Sequence, residues 1–235
     1  MTMLENVITI DGFSSSGKTS VAQRIAQMHA YAFFDSGSLY RAFCFYLGQH
    51  QVELIPRQVY LALQNFHPAI LKDGSIILDD LDISDQLHTP KIDAVVSLIG
   101  SAYFVRKKIK IIQREFCETH QGKVVMTGRD IGVEIVPESK YKFFLTASAQ
   151  ERAIRRKKQF DEQGLTLSTQ EIEQELLSRD EKDQDRKVSP MRPAQEGVVI
   201  DSTNLSFEEV VKQIETQIKL KKTSIEGPLY HSKER

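Results

Sequence analysis

Near its start the chain reads Val7-Ile-Thr-Ile-Asp-Gly12-Phe-Ser-Ser-Ser-Gly17-Lys18-Thr19, and an amphipathic pattern begins at Val21. A buried strand, a G-x-x-x-x-G-K-T loop and a helix in this order bring backbone N–H groups and a helix N-terminus to phosphate oxygens. The lysine of such a loop bridges the phosphates, and the threonine hydroxyl can coordinate Mg²⁺. The stretch therefore predicts a site for nucleotide phosphates, with Thr19 as a metal ligand and with these binding residues: Gly12, Phe13, Ser14, Ser15, Ser16, Gly17, Lys18, Thr19 and Ser20.

Four further short β-rich runs follow, and helical periodicity separates them. The first strand covers residues 7–10, and the four further runs cover 32–34, 123–127, 141–145 and 197–200. Alternation of buried strands with helices is typical of a parallel sheet, so we expect an α/β protein with five parallel strands. A core-facing stripe from Val95 to Phe116, preceded by the N-cap Thr89 and by Pro90, predicts one long helix.

Three segments interrupt this alternation. Residues 66–84 contain short β runs separated by turn signals, which predicts a small β insert. Residues 150–195 are dense in charge, with Gly164 near the middle, and this predicts mobile helices over a site. A capping box at Ser206-Phe-Glu-Glu209 begins the last helix, and residues 223–235 lack periodicity, which predicts a frayed tail.

Composition excludes several classes of function. The chain has 235 residues, of which 40% are hydrophobic and 27% charged, the mix of a soluble globular protein. Lys and Arg number 31 against 32 Asp and Glu, so no overall basic field attracts nucleic acid. No apolar stretch approaches the ~18 to 20 residues of a membrane helix, and the first residues lack the basic start of a signal peptide. Cys44 and Cys117 have no metal-ligand spacing, so we expect no disulfide and a reducing cytoplasm.

Clusters of Arg and Asp stand at strand ends and in the charged segment. They are Asp35-Ser36-Gly37 with Tyr40-Arg41, then Thr127-Gly128-Arg129-Asp130, and then Arg179-Asp-x-x-Asp183-x-x-Arg186. Ligands bind at the carboxyl ends of parallel strands. An Asn-Lys-x-Asp guanine reader is missing from the sequence, and the Asp-x-x-Gly at 161–164 does not follow a strand, which argues against a GTPase switch. The phosphate loop alone does not choose among the remaining nucleotide-binding functions.

In combination these segments resemble the bacterial cytidylate kinases, of the nucleoside monophosphate (NMP) kinase group of P-loop proteins. The resemblance runs from about Val7 to Val211 and rests on Ile8-Thr-Ile-Asp-Gly12 with the phosphate loop, Asp35-Ser-Gly-x-x-Tyr-Arg41, Thr89-Pro90 ahead of Val96-Ser97, Gly128-Arg-Asp-x-Gly132, Glu151-Arg152 with Arg155-Arg156, Arg179-Asp-x-x-Asp-x-x-Arg186, Ser189-Pro190 and Asp201-Ser-Thr203. It implies a P-loop kinase fold with the β insert in the NMP-binding region and a helical lid. It also implies that ATP, with Mg²⁺, phosphorylates CMP or dCMP, and we expect a monomer in the cytoplasm.

The resemblance also implies a division into domains. The P-loop core would comprise residues 1–60, 119–148 and 196–222. Residues 61–118 would form the NMP-binding insert, residues 149–195 the lid and acceptor-contacting helices, and residues 223–235 a flexible tail.

Roles for individual residues follow from the resemblance. Ser97, Arg106 and Asp130 would bind the cytosine base. Arg41, Arg129 and Arg186 would hold the monophosphate, and Arg179 and Asp183 would contact the ribose. Ser36 would also contact the acceptor. The lid arginines would be Arg152, Arg155 and Arg156, and the catalytic set Lys18, Arg129, Arg152, Arg156 and Arg186. The chemistry agrees, because the 4-amino group of cytosine needs an acceptor such as a carboxylate and phosphate suits paired guanidinium N–H groups.

Four positions depart from the family pattern. Phe13 replaces the usual proline and Ser15 the usual glycine, Thr127 stands where an acid often precedes Gly-Arg-Asp, and His88 stands where arginine is common. Two alternatives stay open: a P-loop kinase for another NMP or small-molecule acceptor, and a non-catalytic nucleotide-binding regulator. The three base-reading residues argue against the first alternative.

Overall fold

The chain forms a five-stranded parallel sheet with helices on both faces and a separate three-stranded antiparallel sheet. The computed structural model describes residues 2–162, 164, 167–186 and 188–226. The strands are β1 Ile8–Gly12, β2 Ala32–Asp35, β3 Ala69–Ile70, β4 Ile76–Leu78, β5 Leu81–Asp82, β6 Val124–Gly128, β7 Tyr141–Thr146 and β8 Val198–Asp201. The α-helices are α1 Lys18–His29, α2 Ser36–Gln49, α3 Pro56–Gln64, α4 Pro90–Ser101, α5 Tyr103–Thr119, α6 Ala149–Glu162, α7 Thr169–Gln184 and α8 Phe207–Glu226. A π-helical turn covers Ile131–Ile135.

The parallel sheet has the strand order β2-β6-β1-β7-β8, and every neighbouring pair is parallel. The prediction of five parallel strands is confirmed. Because β1 is the central strand, the loop that follows Gly12 lies between the carboxyl ends of β6 and β7. The segment after Gly128 is therefore beside the phosphate loop, although more than a hundred residues separate them in sequence.

The pleat of the central strands divides the core into two layers. Val124 and Met126 belong to a buried cluster with Phe43 of α2 and Ile109 of α5, whereas Val125 belongs to a second cluster with Ile25 of α1. Successive side chains of a strand point to opposite faces, so a continuous apolar run is what a sheet covered on both faces requires. Burying each of these side chains contributes about 1.5 to 3 kcal/mol. This packing holds the carboxyl edge of the sheet rigid beneath the site.

The predicted β insert is confirmed as the antiparallel sheet β3-β4-β5. Ile76 and Leu78 are buried, and both belong to the cluster that contains α2. The insert is thereby anchored to the helix that carries Arg41. The predicted domain boundary at residues 60 and 61 falls inside α3.

The prediction of one long helix after Pro90 is wrong. Ala102 is extended, with φ −73° and ψ 120°, and it separates α4 from α5. Its N–H bonds to the carbonyl of Ile99 at 3.2 Å, and the Arg106 guanidinium donates to the carbonyl of Gly100 at 2.9 Å. The break is therefore stabilised by a side chain of the following helix that satisfies the exposed carbonyl end of α4. The apolar spacing continues across the break, which is why periodicity alone did not reveal it.

The charged segment forms two helices, as predicted, and α6 packs on α7 through Ala153, Ile172 and Leu176. Their mobility stays a prediction. The capping box of α8 is confirmed, because the Ser206 and Glu209 N–H groups each bond to the other residue's side chain, at 2.8 and 3.3 Å.

The last helix, α8, runs to Glu226, so the beginning of the predicted frayed tail is helical instead. The helix continues because the capping box starts it and Ile214 and Ile218 hold it against the sheet. The rest of the predicted tail, 227–235, lies outside the described residues. Within the described part of the chain, no helix is both long enough and apolar enough to cross a membrane.

Candidate active site

The shape of the phosphate loop depends on a glycine at its start, Gly12. Gly12 has φ +141°, and a Cβ on it would lie 1.9 Å from the carbonyl oxygen of Leu145. Within the loop, the Ser16 hydroxyl and the Lys18 ammonium both donate to the carbonyl of Phe13, at 2.9 and 2.5 Å. Ser15 has φ +58°, the left-handed conformation that its Cβ disfavours. The loop is thus closed on itself at the N-terminus of α1, where backbone N–H groups can receive phosphate oxygens.

Lys18 carries a charge that its surroundings disfavour. Burial lowers the pKa of Lys18 to about 7, and the positive charge of Arg129 acts in the same direction. The carboxylates of Asp35 and Asp11 oppose the change only in part. A polyanion beside Lys18 would reverse this balance, because opposite charge favours the protonated form.

Thr19 and Asp35 place two oxygen ligands together at the start of α1 and the end of β2. The Thr19 hydroxyl donates to Asp35 Oδ2 at 3.3 Å, while Asp35 Oδ1 accepts the Gly37 N–H at 2.9 Å and caps α2. Hydroxyl and carboxylate oxygens are ligands that Mg²⁺ prefers. The sequence predicted Thr19 alone as a metal ligand, although Asp35 stood in one of the charged clusters at a strand end.

Arg41 is buried on α2 and is held by the segment that leads into α4. Its guanidinium donates to the carbonyl of Leu87 at 3.2 Å and to Asp93 at 2.6 Å. Asp93 was not predicted as a site residue, because nothing local to it in the sequence distinguishes it from other first-turn acids. The pair fixes the direction in which Arg41 points.

A buried ion pair joins Arg106 of α5 to Asp130. Both side chains are less than 10% exposed, and Arg106 Nη2 donates to Asp130 Oδ2. The guanidinium also lies 5.6 Å from the centre of the Tyr40 ring. Among the described residues, Arg106 donates to one oxygen of the Asp130 carboxylate, and the buried Tyr40 hydroxyl has no hydrogen-bond partner. A strong acceptor and a phenol are therefore available to a ligand at this point, and Tyr40 was missed by the sequence reasoning.

Arg129 connects the phosphate loop with the charged helix α7. It donates to the carbonyl of Gly12 at 2.7 Å, to the Ser14 hydroxyl at 3.2 Å and to Asp183 at 2.8 Å. Arg186 lies 3.5 Å from the same Asp183. Three predicted acceptor residues from two distant segments, Arg129, Asp183 and Arg186, are thus brought together beside the loop.

Some guanidinium nitrogens of Arg179 and Arg186 lack hydrogen-bond acceptors among the described residues. Within the described part of the chain, Arg179 Nε, Arg186 Nε and Arg186 Nη2 are buried without a hydrogen-bond acceptor. Burial lowers the pKa of Arg179 to about 10, and Arg129 adds to the effect. Buried donors are normally paired. Buried guanidinium nitrogens without acceptors, on arginines whose pKa values are lowered, are what a site for an anionic ligand requires.

The three lid arginines occupy different environments. Arg152 is buried and donates to Asp180 at 2.5 Å and to the Ser14 carbonyl at 3.3 Å. Arg155 donates to the carbonyl and hydroxyl of Ser202, at 2.7 and 3.0 Å. Arg156 instead stacks on Phe160, and its pKa is lowered first by burial and also by Arg41.

Two of the predicted acceptor residues are not part of these contacts. Ser97 is exposed on α4, and in the described residues no hydrogen bond links it to Arg106 or Asp130. Ser36 is buried, and its hydroxyl accepts a bond from Gln113 at 2.6 Å. Their roles toward an acceptor stay predictions.

The fold and the site define a P-loop phosphotransferase, with a phosphate loop on the central strand and convergent arginines at the carboxyl edge of the sheet. A family model described as cytidylate kinase matches residues 8–220. A cytidylate kinase of Pseudomonas putida is 37% identical over 224 residues, covering 93% of this chain and 97% of the relative. Cytidylate kinases of a Thermotoga species and of Streptococcus pneumoniae are 35% and 34% identical, covering 88% and 89% of this chain and 94% and 96% of their own. The chain belongs to the cytidylate kinase family.

Proposed function

We propose that this chain transfers the γ-phosphoryl group of ATP to the phosphate of CMP or dCMP. Within the residues that the structure describes, the observation that carries the proposal is the buried Asp130–Arg106 pair with the unpaired Tyr40 hydroxyl beside it, together with the unpaired donors of Arg179 and Arg186. An acceptor with a 4-amino donor at one end and a phosphate at the other matches this distribution of charge. UMP presents a carbonyl oxygen at the position of the amino group and would meet the Asp130 charge with lone pairs.

Arg129 and Lys18 stabilise the transferring group. Lys18 lies in the loop that receives the donor phosphates, and Arg129 is held between that loop and Asp183. Charge that develops on the phosphoryl oxygens is thus met by fixed donors, which is the main source of catalysis in phosphoryl transfer. The attacking phosphate oxygen of the acceptor is already anionic, so the mechanism requires no general base. Arg41 and Arg186 would hold the acceptor phosphate in line.

Thr19 and Asp35 are the residues that would hold Mg²⁺, since their oxygens lie 3.3 Å apart beside the phosphate loop. The bound ion would neutralise charge on the β- and γ-phosphates. Both oxygens of Asp11 already accept backbone N–H groups, so we assign the ion to Thr19 and Asp35 instead.

We also propose that residues 149–195 act as a lid. Arg152 and Arg155 hold the base of α6 to the phosphate loop and to Ser202, so closure would move the distal half of α6 with Arg156. Limited trypsin digestion should cleave after Arg156 more slowly when a non-hydrolysable ATP analogue and CMP are both bound. Identical digestion with and without the two ligands would count against a moving lid. The monomeric state and the cytoplasmic location stay predictions, and sedimentation, which should give a single species near 26.8 kDa, tests the first of them.

The test of the function is coupled ADP release with ATP, Mg²⁺ and each of CMP, dCMP, UMP, AMP and GMP. We expect CMP and dCMP to be used best and UMP less well. Protein carrying Lys18→Ala, purified in the same way, controls for a contaminating kinase. ADP formation that does not depend on CMP, or that is faster with AMP or GMP, would refute the proposal.

A further inference from the structure

Asp11 is a buried carboxylate with no place in the phosphate site or the acceptor site as described above. It is the residue of β1 immediately before Gly12, and it is only 4% exposed. Its Oδ1 accepts the N–H of Ile131 at 2.9 Å, and its Oδ2 accepts the N–H of Gly132 at 2.8 Å. Both oxygens are therefore committed to one short piece of backbone that lies 120 residues further along the chain.

The two N–H groups belong to the first residues of the π-helical turn that follows Asp130. The first N–H groups of a helical turn have no intrahelical partner, and an Asp at the preceding position commonly accepts them. Asp130 occupies that position but makes no cap, because its carboxylate is turned to Arg106. Asp11 supplies the missing cap from another strand, so the side chain of Asp130 is free to face the acceptor.

Gly132 allows Asp11 to approach this closely. A Cβ on Gly132 would lie 2.8 Å from Thr9 Oγ1 and 3.5 Å from Asp11 Oδ2. Thr9 and Asp11 lie on the same face of β1, because side chains two residues apart in a strand point the same way. A side chain at position 132 would therefore require either the Thr9 side chain or the turn itself to shift.

A second contact ties the same segment to the phosphate loop, since Arg129 donates to the carbonyl of Gly12 and to Ser14. Asp11 and Arg129 thus fasten the segment 129–132 to the residues on either side of Gly12. Burial raises the pKa of Asp11 to about 7, although the two N–H bonds act in the opposite direction.

We infer that Asp11 is a positioning residue, which sets the place of Arg129 and Asp130 relative to the phosphate loop and so contributes to the choice of acceptor base. This inference rests on the proposed function. A carboxylate is needed because two acceptors face two donors, whereas an asparagine would turn an N–H₂ group toward one of the backbone N–H groups.

The experiment compares Asp11→Asn with the wild type in two independent measurements. In the ligand-free proteins, hydrogen exchange of the Ile131 and Gly132 amides should be at least about tenfold faster in the variant, the change that corresponds to losing one hydrogen bond. In kinetics, the ratio of kcat/KM for CMP to that for UMP should fall about tenfold, with a higher KM for CMP and an ADP dissociation constant changed less than about twofold.

Two further variants keep the test decisive if Asp11→Asn folds poorly. Gly132→Ala crowds the turn against β1 but leaves the Asp11 carboxylate unsubstituted. This variant should lower the same ratio of kcat/KM for CMP to that for UMP. Thr9→Val changes a neighbouring side chain of similar size and should leave both the ratio and the amide exchange unchanged.

Wild-type exchange rates in Asp11→Asn would overturn the inference, and so would faster exchange with an unchanged CMP to UMP ratio. If the wild type formed no CMP-dependent ADP, the proposed function would fail on that result. The amide exchange would still decide whether Asp11 holds the segment that follows Arg129.

Discussion

Replacing Asp130 by asparagine tests the acceptor site at its most specific point. The carboxylate is 6% exposed and pairs with Arg106, which is 8% exposed. Arg106 also donates to the Gly100 carbonyl and faces the Tyr40 ring. The amide of Asp130→Asn keeps one oxygen and removes the charge. If that oxygen stays with Arg106, the amide N–H₂ group faces the 4-amino group of cytosine, donor against donor. If it turns to the base, Arg106 is left beside an N–H₂ group.

Either outcome leaves one buried polar group without a partner, which costs about 1 to 3 kcal/mol and more for a charged group. We therefore expect kcat/KM for CMP to fall roughly tenfold to several-hundredfold. UMP presents a carbonyl oxygen that an amide N–H₂ can donate to, so its kcat/KM should fall less and the ratio of the two should narrow. The assay is coupled ADP release with each nucleotide for the wild type and the variant.

Asp180→Asn is the matched control, because Asp180 is also 6% exposed and pairs with a buried arginine, Arg152. It should lower stability to a similar extent, by ~2 to 4 °C in melting temperature for each kcal/mol, without narrowing the CMP to UMP ratio. An unchanged ratio in folded Asp130→Asn would show that the cytosine reader lies elsewhere. An equal change of the ratio in both variants would show that the effect is not specific to the base.

Three further predictions concern the phosphate loop. Lys18→Ala should lower kcat by at least about 100-fold, because the charge of Lys18 acts on the transition state. The melting temperature should stay equal or rise, since burial disfavours that charge in the free protein. A near-normal kcat would refute the assignment of the ATP site. The pKa of Lys18 is lowered from 10.5 to about 7 in the folded protein. Between these two pH values the folded protein binds fewer protons at Lys18 than the unfolded chain does, so the contribution of Lys18 to the free energy of unfolding rises with pH. For the same reason ATP binding at about pH 8 should take up close to one proton, measured by calorimetry in buffers of different ionisation enthalpy; no uptake, or an equal uptake in Lys18→Ala, would contradict this pKa. Ser15→Gly should raise the free energy of unfolding by ~0.5 to 1 kcal/mol, because glycine adopts the left-handed conformation without strain. Ser16→Gly should lower the free energy of unfolding, because the hydrogen bond to the Phe13 carbonyl is lost. Denaturant unfolding of both variants is the measurement, and a loss of stability in Ser15→Gly would contradict the strain at Ser15.

Much of the fold could be predicted from the sequence. The strand before Gly12, the loop to Thr19 and the helix after it are specified by residues that are consecutive in the chain. The alternation of apolar runs with helical patterns predicted all five parallel strands to within two residues at each end, and the turn signals between residues 66 and 84 predicted the β insert. The membership of the cytidylate kinase family was likewise predicted, and it is confirmed.

Local pattern did not predict the break at Ala102. The apolar stripe is continuous there, and the break depends on Arg106 reaching back to the Gly100 carbonyl. Arg106 was predicted as a base reader from the resemblance, but its second contact could not be read from spacing.

The partners of the site residues were decided by tertiary structure alone. Asp93 binds Arg41 across 52 positions, and Asp11 holds the N–H of Ile131 across 120. Sequence signals for helices, turns and loops act over a few residues, because they depend on neighbouring dihedral angles and on periodicity. The choice of an ion-pair or capping partner depends instead on distance in the folded chain, which is set by the strand order, by the packing of α2 and α5 against the sheet and by the packing of α7 on α6. The residue types of this site could therefore be named from the sequence, whereas the contacts that aim them exist only once β6 lies beside β1.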